Sequence, residues 1–364
     1  DSRNAFVAHV AASATAGSYP RYLSAKQSYW TVVGTGDDSA EALINEQGAI
    51  EPHAGGFSIE PFLRVGSRLI TWHDARQTQS LASGYLPIPS VTWTAGTLRL
   101  EITVFAAGAP DSSSLYARYR VTNTGRATAT PTLYLALRPF QVNPSWQFLA
   151  TQGGVANIAH VSWEDSLLRV NDSLTVVPLT APSAVGAATF DGGGTIEALR
   201  AGSLTPSHDV RDATESASAA MSYPLVIKPG ATRDVYVLVP FHEHGAASRP
   251  FALDADAARF AEVKLADAKR SWEERLNRVT IALPPSASRI SNTLRAQLAY
   301  ILINDHGVQL HPGPRSYARS WIRDGSIIGA ALLRLHHPEQ VRAFLDWYAP
   351  FQFANGKVPC CVDA

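Results

Sequence analysis

The segment 313–325 carries the residues of this chain that are best suited to chemistry. It holds three arginines, two aromatic residues and one aspartate, which are Arg315, Tyr317, Arg319, Trp321, Arg323 and Asp324. Arginine offers a rigid fork of hydrogen-bond donors, and a Trp or Tyr ring offers an apolar face against which a sugar ring can lie. This composition predicts a pocket for a ligand rich in hydroxyl groups, with Arg323 and Asp324 beside Trp321 at its floor.

A simpler interpretation concerns Asp324 alone. This residue precedes an apolar pattern of helical spacing, and aspartate is a favoured N-cap. The arginines would then be solvated, and Trp321 would belong to the core. A cap explains Asp324 but not the arginines and rings around it, so we prefer the pocket.

The run 317–325 resembles the W-x-R-D segment of glycosidases with an (α/α)6 barrel, among them glucoamylases, trehalases and glycogen-debranching glucosidases. The glucoamylase pattern implies that Arg323 and Asp324 grip the hydroxyls of the sugar in subsite −1. The trehalase-like pattern implies that Asp324 is the general acid. The Trp-Ile-Arg-Asp form of this chain is closer to the glucoamylase pattern. Burial of Arg323 with Asp324 would favour the charged carboxylate, which suits an anchor and opposes an acid.

The same resemblance implies further roles around this pair. Trp321 and Tyr317 would supply a stacking surface, and Arg315 and Arg319 would make further contacts with the substrate. Hydrolysis of a glycosidic bond needs a second carboxyl group, which lies about 6.5–9.5 Å from the first in inverting enzymes.

The second carboxyl group has Asp363 as its nearest candidate in this sequence. We expect the partner carboxylates to lie beyond Ala364, and we therefore expect this chain to be inactive by itself. The resemblance favours an inverting enzyme without excluding a retaining one.

The sequence pattern of residues 1–250 predicts β structure. We expect this structure to help position the segment 313–325. Turn signals recur between short alternating runs, of which the clearest are 98–105, 115–122, 132–138 and 233–240. Such runs predict antiparallel sheets in a large β super-sandwich. The (α/α)6 glycosidases and related phosphorylases often carry such a domain ahead of the barrel, and in those relatives one of its loops reaches over the barrel mouth. Trp146 lies in a candidate loop, with packing at the sandwich rim as the alternative.

Residues 251–285 read as a helical linker, with a strong amphipathic helix over 253–278 that Asp254 or Asp256 caps. Residues 286–364 read as the first helices of an incomplete (α/α)6 toroid, with helices near 288–303 and 325–335 and a third opened by Pro338. This helical part is too short to close a six-hairpin barrel. We therefore expect an N-terminal part of a longer enzyme, whose remainder is a separate chain, is proteolysed or is absent.

The composition of the chain bears on whether it binds nucleic acid, a membrane, a metal or a cofactor. The 364 residues are 46% hydrophobic and 17% charged with a net charge of +0, which predicts a globular multi-domain protein and argues against nucleic acid as a partner. No apolar run is long enough to cross a membrane. The pattern around Cys360, Cys361 and the run 242–244 predicts neither a metal site nor a cofactor, and adjacent cysteines favour two free thiols.

The start of the sequence lacks both an initiator methionine and a clear signal pattern. We expect that the chain was processed or trimmed before this point. The sequence leaves the compartment open and favours a periplasmic or secreted location over a cytoplasmic one.

Three functions remain open from the sequence. The first is a glycosidase that acts on a glucoside or an oligosaccharide. The second is a glycoside phosphorylase of similar architecture, and the third is a carbohydrate-binding protein without catalysis. Epimerases and lyases with helical barrels also grip sugars.

Overall fold

The computed structural model describes residues 2–36, 38–242 and 256–362. Its larger part is a sandwich whose strands, in chain order, are β1 (Trp30–Gly34), β2 (Glu41–Asn45), β3 (Ile50–Glu51), β4 (Ser58–Val65), β5 (Arg68–Ile70), β6 (Arg76–Leu81), β7 (Pro89–Ala95), β8 (Leu98–Ala107), β9 (Ser114–Asn123), β10 (Thr132–Arg138), β11 (His160–Glu164), β12 (Leu167–Val170), β13 (Leu174–Pro178), β14 (Ala184–Ala188), β15 (Asp209–Arg211), β16 (Ser218–Pro224) and β17 (Thr232–Pro240). The eight-stranded sheet has the order β1-β2-β3-β4-β10-β16-β14, with β5 paired to β4. The nine-stranded sheet has the order β15-β11-β12-β13-β17-β9-β8-β7-β6. The predicted antiparallel sandwich is confirmed.

Alternation along the strands explains why the two sheets pack. In β8, Leu98, Leu100, Ile102 and Val104 are buried and belong to one core cluster that draws side chains from both sheets. Successive side chains of a strand point to opposite faces, so a period of two places these four residues on the face toward the other sheet. The four alternating runs noted in the sequence correspond to β8, β9, β10 and β17.

Within its described residues, the region that the sequence predicts to be β structure also contains two α-helices. They are α1 (Ser2–Ser13) and α2 (Gly194–Ala201). The segment of α1 is rich in alanine, the best helix former. Its Val7 and Ala11 pack in a small cluster with Tyr22 and Phe140. For these two segments the β prediction was wrong.

The helical part begins with α3 (Ala257–Leu276), followed by α4 (Ser288–Ile303), α5 (Ile322–Arg334) and α6 (Pro338–Tyr348). The buried side of α3 consists of the six residues that its periodicity predicts, namely Ala257, Ala261, Leu265, Ala268, Trp272 and Leu276. They share a core cluster with side chains of α4, α5, α6 and the sandwich. Asp254, one of the two predicted caps of α3, lies outside the described residues.

The start of α5 differs from the prediction. This helix begins at Ile322 rather than Gly325, so Asp324 lies in its first turn and Trp321 occupies the N-cap position without a side-chain cap. The interpretation of Asp324 as an N-cap was therefore wrong. Pro338 opens α6 as predicted, because its fixed φ suits the first helical position.

Large apolar side chains remain exposed on α4, α5 and α6. They are Ile290, Leu294, Ile327, Leu333 and Leu345. None of the helices in the described part of the chain is long and apolar enough to span a membrane.

Candidate functional site

Asp324 lines a cavity of about 190 Å³ between the end of α4 and the start of α5. The lining residues are Gln297, Tyr300, Ile301, Asn304, His311, Pro312, Asp324, Ile327 and Ile328. The cavity is smaller than the roughly 300–1,000 Å³ of pockets that enclose drug-sized ligands. Its mixture of apolar walls and a few polar groups is nevertheless typical of ligand sites.

A short hairpin brings the two ends of this cavity together. Asn304 ends α4, and its side-chain Nδ2 donates to the Tyr300 carbonyl at 2.7 Å. The strands β18 (Asp305–His306) and β19 (Gln309–Leu310) then turn back through Gly307, which adopts a φ of +71°. The His311 N–H donates to the Asn304 carbonyl at 3.3 Å, so the hairpin places His311 beside the end of α4.

His311 is a buried neutral imidazole. Burial lowers its pKa to about 4, and the charge of His306 lowers the pKa in the same direction. Its Nε2 lies 2.9 Å from Oε1 of Gln309, an amide oxygen that can only accept. A proton on Nε2 makes this contact a hydrogen bond, and Nδ1 is then a hydrogen-bond acceptor.

Two buried acceptors at this cavity lack a partner among the described residues. They are Nδ1 of His311 and Oδ1 of Asn304, on side chains of residues only 5% and 6% exposed. A buried acceptor left without a partner costs about 1–3 kcal/mol, so each such group calls for an explanation. The carboxylate of Asp324, whose side chain is 25% exposed, is the acceptor on this lining that a ligand donating from hydroxyl groups would reach.

The pair of Arg323 and Asp324 is only partly buried. Arg323 Nη2 lies 3.2 Å from Asp324 Oδ2, with the Arg323 side chain 81% exposed and that of Asp324 25% exposed. The two groups are not buried together, so the condition behind the expected anchor role is not met. The position of Asp324 in the first turn of α5 provides another source of stabilisation, because the helix dipole favours a carboxylate there.

Three predicted residues form a separate group beside the cavity. The rings of Tyr317 and Trp321 lie 6.0 Å apart at 53°, and the Arg319 guanidinium lies 5.7 Å from the centre of the Trp321 ring. None of the three lines the cavity of Asp324. Trp321 is fixed by the two-stranded pairing of β20 (Ser320–Trp321) with β21 (Cys361–Val362). Asp363 lies outside the described residues.

Arg315 points away from this group into the sandwich. Its Nε donates to Glu51 at 2.7 Å and its Nη1 to Glu41 at 2.9 Å, and the residue is 2% exposed. The other Glu51 oxygen accepts the N–H groups of Val142 and Asn143 at 2.7 and 2.8 Å. These contacts account for Arg315 without a ligand, because protein carboxylates occupy its guanidinium.

The loop after β10 reaches the segment 313–325. The N–H of Leu149 donates to Oγ of Ser316 at 3.2 Å. Trp146, in the same loop, is 42% exposed, and its ring meets Tyr22 edge-on with centroids 6.1 Å apart. The loop thus stands beside the candidate site, and Trp146 packs partly on the sandwich rim.

The sequence analysis missed the residues that share the cavity with Asp324. None of Asn304, His311 and Tyr300 was predicted to be a site residue. Two histidines on either side of a glycine turn, His306 and His311, are the one local signal that could have marked this hairpin.

Comparisons with known proteins address the fold. No protein-family model and no curated protein sequence match this chain. A solved bacterial glucoamylase complexed with acarbose matches with a TM-score of 0.59 and 11% identity, over 93% of this chain and 53% of that one. A putative kojibiose phosphorylase from the human microbiome has a TM-score of 0.37 and 7% identity, over 87% of this chain and 41% of that one. The chain therefore spans about half the length of the glucoamylase and shares its fold over that part.

Proposed function

We propose that this chain belongs to a carbohydrate-active enzyme, a glycoside hydrolase that acts on a glucoside or an oligosaccharide. The observation that carries the proposal is the cavity lined by Asp324, His311 and Asn304, whose side chains carry hydrogen-bond acceptors. Hydroxyl groups of a sugar donate to such acceptors, and a pyranose ring has several of them on a small frame. The similarity of the fold to that of a glucoamylase supports a sugar as the ligand of this cavity.

The roles of the residues follow from their positions. Asp324 accepts from sugar hydroxyls as an anchor, with the general acid as its alternative role. Arg323, whose side chain is 81% exposed and pairs with Asp324, would contact the substrate beside it. Tyr317 is 52% exposed and forms the rim of the site with Trp321 and Arg319. Arg315 is a positioning residue that ties the segment to the sandwich.

The described residues that line the cavity lack the second carboxylate that glycoside hydrolysis requires. Among the residues that line it, Asp324 supplies the one carboxylate, whereas glycoside hydrolysis uses two. The exposed apolar residues of α4, α5 and α6 are those that further helices of a toroid would cover. We therefore expect binding without turnover from this chain alone and an inverting hydrolase once the toroid is complete.

A binding experiment tests the role of Asp324. Titration calorimetry of the chain with glucose, maltose and maltotriose would compare the wild type with Asp324→Asn. Replacing the charged acceptor should weaken binding by about tenfold or more, since a hydrogen bond to a charged group contributes roughly 1.5–3 kcal/mol. Asp346→Asn, whose carboxylate is 77% exposed on α6, is the matched control and should bind as the wild type does.

Equal binding by wild type and Asp324→Asn would contradict the proposed site. An assay of the complete enzyme with and without phosphate distinguishes a phosphorylase from a hydrolase. In a phosphorylase, phosphate replaces water as the acceptor of the glycosyl group. Measurable hydrolysis by the isolated chain would contradict the expectation that it lacks part of the active site.

A further inference from the structure

A second cleft opens at the edge of the sandwich. It has a volume of about 300 Å³ and is lined by residues of β1, β2, β6 and β7, together with Tyr29 and Glu46. The strands β1 and β6 are the outermost strands of their respective sheets on this side. The cleft therefore lies where the two sheets part, within the size range of small-molecule sites.

Tyr29 presents an aromatic ring at this cleft on a fixed backbone. The residue is 66% exposed. Its N–H donates to Oε2 of Glu46 at 2.5 Å, and its carbonyl accepts from the Glu46 N–H at 3.1 Å. Arg21 holds the other oxygen of Glu46 at 3.1 Å. A ring kept in water on an ordered backbone contributes nothing to the core, yet it loses little entropy when a ligand stacks on it.

The polar residues that line the cleft around the Tyr29 ring are mostly uncharged. Gln79 and Ser80 are exposed on β6, and Gln79 Nε2 donates to the Glu46 carbonyl at 3.2 Å. Glu46 is the one charged residue among those that line the cleft, and Arg21 offsets its charge. An aromatic face with amide and hydroxyl groups beside it suits a neutral polyhydroxylated ligand better than an ion.

The cleft is a neighbour of the Asp324 cavity. Thr31, which lines the cleft, lies on β1, and Tyr300, which lines the cavity, lies on α4. Because α4 packs against β1, the two spaces lie at neighbouring elements.

We infer that the edge cleft is a second glycan-binding site, in which Tyr29 stacks against a sugar of a neutral oligosaccharide. The inference rests on the proposed function for the class of ligand. It adds a site on the sandwich itself, so the chain would bind long oligosaccharides more tightly than short ones.

The test measures binding by the full chain to four neutral glucans, namely maltoheptaose, isomaltoheptaose, laminariheptaose and cellohexaose. The variants are then compared on the tightest of the four and on its disaccharide. Tyr29→Ala should weaken binding of the long glucan about twofold to tenfold, because an aromatic contact is worth roughly 0.5–1.5 kcal/mol. Binding of the disaccharide should not change.

Tyr29→Phe is the matched control, because it keeps the ring and should bind the long glucan nearly as the wild type does. Both variants keep the backbone hydrogen bonds to Glu46, and equal unfolding midpoints would verify that their folds are intact. Failure of the wild type to bind any of the four glucans, or wild-type binding by Tyr29→Ala, would overturn the inference.

The same titrations separate this site from that of Asp324. Loss of disaccharide binding in Asp324→Asn with no effect of Tyr29→Ala would leave the proposed function standing and remove the edge site. The reverse pattern would keep the edge site and remove the role proposed for Asp324.

Discussion

At the scale of single residues, Arg315 shows how a charged side chain can be essential without touching a ligand. Its guanidinium is buried against Glu41 and Glu51, which come from two adjacent strands of the sandwich. Burial removes three charges from water, and the geometry compensates by giving each carboxylate a direct partner. The arginine thereby fixes where the segment 313–325 begins relative to the β-domain.

Arg315→Met should therefore destabilise the protein strongly. Removing the arginine leaves the buried carboxylates of Glu41 and Glu51 without their opposite charge, and such changes cost about 3–5 kcal/mol. Urea unfolding monitored by tryptophan fluorescence would measure the loss of free energy of unfolding. Arg342→Met is the matched control, since its side chain is 86% exposed in a pair with Asp346, and it should change stability little. An unfolding midpoint of Arg315→Met equal to that of the wild type would refute the structural role.

At the scale of elements, α5 packs on α6 through glycines that follow the Arg-Asp pair. A Cβ added at Gly325 would lie 2.4 Å from the Phe344 ring, whereas one added at Gly329 would lie 3.4 Å from Val341. Gly325 thus permits the close approach of the two helices directly after Asp324. Gly329 leaves ordinary space for a methyl group.

The two glycines should respond to alanine with opposite signs. Gly325→Ala should lower the free energy of unfolding by about 1–3 kcal/mol, because overpacking displaces the Phe344 ring or the helix. Gly329→Ala should raise it by up to about 1 kcal/mol, because alanine is the better helix former. Thermal unfolding of both variants would measure the difference, and a stabilised Gly325→Ala would show that the interface yields easily. Weaker disaccharide binding by Gly325→Ala would link this packing to the position of Asp324.

Elements with a clear period could be predicted from the sequence, whereas long-range partners could not. The six buried residues of α3 and the bounds of α4 follow from helical spacing alone, and β8 and β9 follow from alternation. The start of α5 was placed three residues late because Asp324 resembles a cap. Arg315 meets partners 264 and 274 residues away, and no local pattern reveals that choice. Likewise, His311 reaches the cavity only because a hairpin folds it back on Asn304.

At the scale of the whole molecule, the contact between the sandwich and the helical part is rich in titratable groups. His53 lies near Arg315 and His242, and His242 Nε2 pairs with the buried Asp38 at 2.8 Å. Burial, together with the charges of Arg315 and His242, lowers the pKa of His53 to about 4. His311, in the same interior, has its pKa lowered to about 4 as well. Acid should therefore act on the fold through these histidines as well as through the carboxylates.

The sign of this effect follows from the two pKa values of each histidine. In the unfolded chain His53 takes up a proton near its ordinary value of 6.5, whereas in the folded chain it does so only near 4. As the pH falls through that window, the unfolded state binds more protons, so the free energy of unfolding decreases. Above 6.5 both states are neutral, and below about 4 both are charged, so His53 adds no further pH dependence there.

The denaturant concentration at the unfolding midpoint should decrease as the pH is lowered through this window. The midpoint of His53→Gln should decrease less steeply than that of the wild type. His9→Gln, on the exposed side of α1, should follow the wild-type curve. Identical slopes for His53→Gln and the wild type would show that His53 is protonated as readily in the folded protein as in the unfolded chain, which its burial beside Arg315 opposes.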